Sequence, residues 1–100
     1  MSDIKILLVD DHAVVRMGFK MLIEAESDMT VIAEAESGEL GIKAFKEHKP
    51  DIVIMDITMP GIGGIEAIDR ICAHDKSAKI LVLSAPVSYT HLTLPTNREV

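Results

Sequence analysis

Three aliphatic runs, each closed by a polar residue able to do chemistry, constrain this chain more than any other feature. Ile4-Lys5-Ile6-Leu7-Leu8-Val9 ends in Asp10-Asp11, Ile52-Val53-Ile54-Met55 ends in Asp56, and Lys79-Ile80-Leu81-Val82-Leu83 ends in Ser84-Ala85. Runs so rich in β-branched and aliphatic residues read as strands buried on both faces, as in a parallel sheet. A further run, Met29 to Ala35, alternates towards its end as an edge strand would.

Between the strands the apolar period becomes helical. Val14, Met17, Gly18, Met21, Leu22 and Ala25 form one stripe, with Arg16, Lys20 and Glu24 opposite, so the first stripe is expected to face the core. Ser37 is placed to cap a second helix. In that helix Gly38, Gly41, Ile42 and Phe45 face inward, and Glu39, Lys43, Lys46 and Glu47 face water. Pro50 takes Lys49 out of helical geometry. Ile65, Ile68, Ile71 and Cys72 make the apolar side of a third helix, on which Glu66 and Arg70 are spaced for an ion pair. Strand and helix thus alternate four strands deep, which predicts an α/β fold with a parallel sheet.

Composition narrows the function. One hundred residues make one small domain. With Phe19, Phe45 and Tyr89 as its aromatics, the chain offers no base-stacking platform. A net charge of −6 opposes direct nucleic-acid binding, which needs a basic surface. Cys72 is the single cysteine, so there is no internal disulfide and no multi-cysteine zinc site. The apolar run near the N-terminus is too short to span a membrane and has no basic leader, so a cytoplasmic protein without a membrane partner is expected.

Ligands of parallel α/β sheets sit outside the carboxyl ends of the strands. Right-handed crossovers place the first, third and fourth runs side by side, so Asp10, Asp11, Asp56 and Ser84 converge. Adjacent carboxylates need a counter-charge to stay ionised together. A hard divalent cation, Mg²⁺, supplies it. A carboxylate beside that ion is a competent nucleophile towards phosphorus. His12 follows the acid pair and is read as beginning the first helix rather than as a metal ligand. A haloacid-dehalogenase-like site would call for Asp-x-Asp after the first strand, whereas here the two acids are adjacent.

LLVDDH at 7–12, IMDITMPGIGG at 54–64 and LVLSA at 81–85 together resemble the receiver domain of two-component response regulators, of the NarL/FixJ type and its GacA/UvrY-like members. The resemblance runs from about Ile4 to Ala85 and implies a flavodoxin-like (CheY-like) doubly wound parallel sheet, strand order 2-1-3-4(-5). It implies Asp56 as phosphoacceptor for a sensor histidine kinase, with Mg²⁺ held by Asp10, Asp11, Asp56 and the backbone carbonyl of Thr58. Ser84 matches the switch hydroxyl that meets the phosphoryl group, and Ala85 the small residue beside it. Met59, Pro60 and Gly61 match the loop that shapes the pocket. Such a domain accepts a phosphoryl group upstream of transcription regulation and is not a conventional enzyme.

The family's phosphoryl-pairing lysine would fall past Val100, and no lysine follows Lys79. The fourth helix, fifth strand, fifth helix and DNA-binding domain are likewise expected to be missing. Residues 1–85 are therefore read as a partial receiver and 86–100 as a non-native tail, because VSYTHLTLPT resembles the one-frame translation of a transposon-based sequencing adaptor. An apolar edge at Ile80–Leu83 invites pairing with other chains, so this chain is expected to be insoluble or partly molten. Little or no phosphorylation is expected of it. The competing reading is an inactive fragment that at most occupies the kinase's docking surface.

Overall fold

The computed structural model describes residues 3–59 and 61–83. Strands and helices alternate as β1 (Ile4–Val9), α1 (Ala13–Glu24), β2 (Met29–Ala35), α2 (Gly38–His48), β3 (Ile52–Asp56), α3 (Gly63–His74) and β4 (Ile80–Leu83). The strands form one parallel sheet in the order β2-β1-β3-β4, as expected. Pro60, Ser84, Ala85 and the tail 86–100 lie outside the described residues.

The two central strands carry the apolar runs because both of their faces are covered. Leu7, Val9, Val53 and Met55 pack with Phe45 of α2 and Ala67 and Ile71 of α3 on one face. Ile6, Leu8 and Ile54 pack with Ile23 and Phe19 of α1 on the other. Full burial of such a side chain contributes roughly 1.5–3 kcal/mol, so these two strands anchor the domain.

The edge strand β2 contains a bulge. Ile6 pairs with Val31 but Leu7 pairs with Ala33, which leaves Ile32 as the extra residue. A bulge shifts the side-chain alternation by one. Val31 accordingly packs on the α1 face, whereas Ala33 and Ala35 pack on the α2–α3 face. Glu34, paired with Leu8, is thereby set on the α1 side.

The face of α1 turned to the sheet is not the expected one. Val14, Met17, Met21 and Leu22 are exposed, and Phe19 and Ile23 meet the sheet with Arg16 and Lys20 alongside them. Phe19 and Ile23 supply the apolar contact with the sheet, and Arg16 and Lys20 beside them reach Glu34 at 3.1 and 3.8 Å.

The second helix agrees with its reading. Gly38, Gly41 and Phe45 are buried, and Ser37 Oγ accepts from Leu40 N at 3.1 Å. A Cβ on Gly41 would lie 3.0 Å from Val9 Cγ2, so this glycine lets α2 approach β1 closely. Lys49 leaves the helix through the left-handed region, φ 49°. On α3, Ile71 is buried and Cys72 half-buried, but Ile65 is exposed and the inner positions are Gly64 and Ala67. Glu66 and Arg70 pair at 3.0 Å. β4 forms the apolar edge expected at Ile80–Leu83 and is not buried on both faces. Leu81 is 56% and Val82 46% exposed, because β4 is an edge strand of the described sheet.

At the end of α3, Asp75 Oδ1 accepts from Ser77 Oγ (2.7 Å) and Ser77 N (2.9 Å), closing the turn into β4. The Ser77 hydroxyl, then its amide, hold the Asp75 carboxyl below its ordinary pKa. A lowered acid stabilises the fold above its unfolded-state pKa, and that contribution fades as pH falls through the lowered value. An NMR titration of Asp75 should therefore show a depressed midpoint that rises in Ser77→Ala. An unchanged midpoint in that variant would refute the assignment.

Candidate functional site

β1 and β3 lie side by side and deliver their terminal acids to the same edge of the sheet. Asp10, Asp11, His12 and Asp56 each present a ligand atom, all within 4.8 Å of one another. Asp10 and Asp56 are buried, each 6% exposed, while Asp11 is half-buried. These carboxylates are burdens on the fold unless something satisfies them.

The surroundings satisfy two of the three. Asp10 Oδ1 accepts from the His12 amide at 2.8 Å and stands 3.1 Å from His12 Nδ1. Asp56 Oδ1 accepts from the Thr58 amide (2.9 Å) and the Thr58 hydroxyl (2.8 Å), which fixes the carboxylate at the strand's end. Asp11 Oδ1 is buried with no hydrogen-bond donor. The His12 ring nitrogen lies 3.0 Å from it, but off the line a hydrogen bond requires. The proximity is thus electrostatic, and the oxygen accepts no hydrogen bond.

His12 occupies the N-cap position of α1, as expected, with its side chain largely exposed. Its imidazole is held above its ordinary pKa, chiefly by the hydrogen bond to Asp10 and next by the charge of Asp11. An all-oxygen set of three carboxylates with one orphaned atom fits a hard cation such as Mg²⁺.

The loop after β3 closes over the core. Met59 is buried against the α2–α3 cluster. Gly61 has φ +80°, where glycine avoids the steric cost of a Cβ, and a Cβ there would lie 3.3 Å from Glu39 Oε2. Gly64 seats the start of α3 on the end of β3. A Cβ at Gly64 would collide with the Asp56 carbonyl oxygen and with Ile57 Cα. The structure thus brings together Asp10, Asp11 and Asp56, with Thr58 beside Asp56.

Three residues around the site escaped the sequence reading. Arg16 Nη1 donates to the Asp10 carbonyl oxygen at 2.6 Å, and Arg16 Nε to Glu34 Oε1 at 3.1 Å. No sequence signal marks either partner, because the contact depends on the bulge in β2. Gly64 did have a signal, the Gly63-Gly64 pair at the start of a helix.

Comparison with known proteins bears directly on this arrangement. The family model described as the response regulator receiver domain matches residues 6–93. The chain belongs to that family. LiaR of Bacillus subtilis, a transcriptional regulatory protein, is 44% identical over 82 residues, 82% of this chain and 39% of LiaR. The crystal structure of a LuxR-family two-component response regulator from Aurantimonas sp. SI85-9A1 matches with TM-score 0.80 and 44% identity, over 83% of this chain and 59% of that one. A CheX–CheY–BeF₃–Mg²⁺ complex from Borrelia burgdorferi matches with TM-score 0.75 and 32% identity, over 84% of this chain and 63% of that one. The receiver spans well under half the length of LiaR. It is of the NarL/LuxR type, and receivers of this family bind Mg²⁺ in an acidic pocket and interact with sensor kinases. Among the described residues no helix is long and apolar enough to cross a membrane.

Proposed function

We propose that Asp56 is the phosphoacceptor of this receiver and that Asp10, Asp11 and Asp56 hold Mg²⁺. The observation that carries the reading is the gathering of three carboxylates, one of whose oxygens, Asp11 Oδ1, is buried without a hydrogen-bond donor. The Borrelia complex, which contains Mg²⁺ and BeF₃, supports it by likeness. The Asp56 carboxylate attacks the phosphorus of a phosphohistidine on a sensor histidine kinase. The phosphorus–nitrogen bond breaks, and the departing imidazole keeps its electron pair and takes up a proton. Mg²⁺ held by Asp10, Asp11 and Asp56 would screen the negative charge between the carboxylate and the phosphoryl oxygens. The Thr58 amide and hydroxyl orient Asp56 for this attack through Oδ1.

The Thr58 carbonyl is proposed as a further metal ligand. Ser84 is proposed as the switch hydroxyl, with Ala85 beside it, and Met59, Pro60 and Gly61 as the pocket loop. The protein is read as a cytoplasmic signalling element upstream of transcription rather than an enzyme, with no direct nucleic-acid contact through this chain. Residues 86–100 are proposed to be a non-native tail. A native DNA read downstream of the Ala85 codon decides that point.

The alternative reading is an inactive module that at most docks on a kinase. Incubation with Mg²⁺ and a small-molecule phosphodonor, followed by intact mass, separates the two. Under the first reading a low-stoichiometry product with one added phosphoryl group appears and is absent in Asp56→Asn or with chelator. No product under any condition leaves the second.

A further inference from the structure

We propose that Arg16 is a positioning residue for the cation site, acting through the backbone of Asp10 and aligned by Glu34. The inference rests on the proposed cation site at Asp10, Asp11 and Asp56.

The need for such a residue arises where β1 ends. The Asp10 amide still joins the sheet, donating to the Ala35 carbonyl at 3.0 Å. The strand pairings of β1 stop at Val9, so the Asp10 carbonyl must find its donor elsewhere. Arg16 Nη1 supplies it at 2.6 Å, and the His12 carbonyl in turn accepts from the Arg16 amide at 2.9 Å as α1 begins. One residue therefore ties down both ends of the turn that carries Asp10 and Asp11.

The guanidinium is itself held. Its Nε donates to Glu34 Oε1 at 3.1 Å, and the Arg16 side chain is only 17% exposed. Glu34 stands on the α1 face because of the bulge at Ile32. A planar guanidinium with donors on adjacent nitrogens can bridge a carboxylate and a carbonyl at once, whereas a lysine ammonium is a single point on a flexible stem. The peptide joining Asp10 to Asp11 is thus set from the edge strand, and with it the direction in which Asp11 presents its unpartnered oxygen.

Charge and position make opposite forecasts. A cation beside a cation site weakens metal binding by repulsion, so removal of Arg16 for its charge alone would tighten Mg²⁺. Removal of a group that aligns the ligands loosens it, commonly by tenfold or more. The test is hydrogen exchange by mass spectrometry on the dilute 100-residue chain, following the peptide that spans Asp10 to His12 across an Mg²⁺ titration, with a thermal melt of each variant alongside. Protection in the unsubstituted chain with a midpoint raised about tenfold in Arg16→Ala, and raised also in Arg16→Lys, is the expected result. Glu34→Gln, which keeps an acceptor oxygen, should stay near the unsubstituted value, and Glu34→Ala should move towards Arg16→Ala. An unchanged or lowered Mg²⁺ midpoint in Arg16→Ala, whatever the melt does, overturns the positioning role and leaves the cation site standing. Absence of any Mg²⁺ response in the unsubstituted chain overturns the site and the inference together.

Discussion

Gly64→Ala is expected to destabilise the fold by about 1–3 kcal/mol, although alanine is the better helix former at an unhindered position by about 1 kcal/mol. The added Cβ would clash with the Asp56 carbonyl oxygen and with Ile57 Cα. Both are backbone atoms of the strand end that carries Asp56, so no side chain can swing aside. Either α3 lifts from β3 or the Asp56 turn shifts, and each route disturbs the site as well as the core contacts of Ala67 and Ile71. Gly18→Ala is the matched control. Nothing lies within 4 Å of a Cβ at Gly18, in the exposed middle of α1, so there the same change should stabilise. A cooperative melt of the unsubstituted chain, which would itself overturn the expectation of a partly molten state, is the baseline, and each kcal/mol then moves the midpoint by roughly 4–8 °C. Paired thermal melts should separate the two variants in opposite directions. A Gly64→Ala midpoint at or above the unsubstituted value would refute the close seating of α3 on β3.

Asp11→Asn should raise the melting midpoint without metal and abolish the Mg²⁺-dependent rise. Asp10, Asp11 and Asp56 crowd their oxygens within 4.8 Å, and Asp11 Oδ1 accepts no hydrogen bond, so only the exposed His12 imidazole at 3.0 Å offsets the repulsion. Removing one charge relieves that repulsion by on the order of 1 kcal/mol, after allowance for the partial exposure of Asp11. The unsubstituted receiver should gain stability with Mg²⁺ as RT ln(1 + [L]/Kd), and the variant should gain little. The decisive measurement is a set of four melts, each protein with Mg²⁺ and with chelator. A variant that melts lower than its parent and still responds to Mg²⁺ would remove Asp11 from the site.

The acids themselves were legible because they close the most apolar runs in the chain. A strand buried on both faces leaves little latitude in its position, so β1 and β3, and with them Asp10, Asp11 and Asp56, follow from local pattern alone. The cap at Ser37 and the inner face of α2 were legible for a similar reason, since Gly38, Gly41 and Phe45 sit opposite a charged face. The first helix was misread because its exposed stripe carries Val14, Met17, Met21 and Leu22, while its covered stripe includes Arg16 and Lys20. Periodicity identifies the two sides of a helix. It does not say which one a neighbour will cover.

The sequence by itself determined the alternation of strand and helix, the parallel sheet and the acids at its carboxyl edge, because burial on both faces and turn chemistry are local demands. The tertiary structure decided the rest. Register in β2, set by a single extra residue at Ile32, put Glu34 on the α1 side. There Glu34 meets Arg16, which in turn holds the carbonyl of Asp10. Each of these depends on which residues from distant segments stand opposite one another, and pairing across a sheet is a property of the assembled chain.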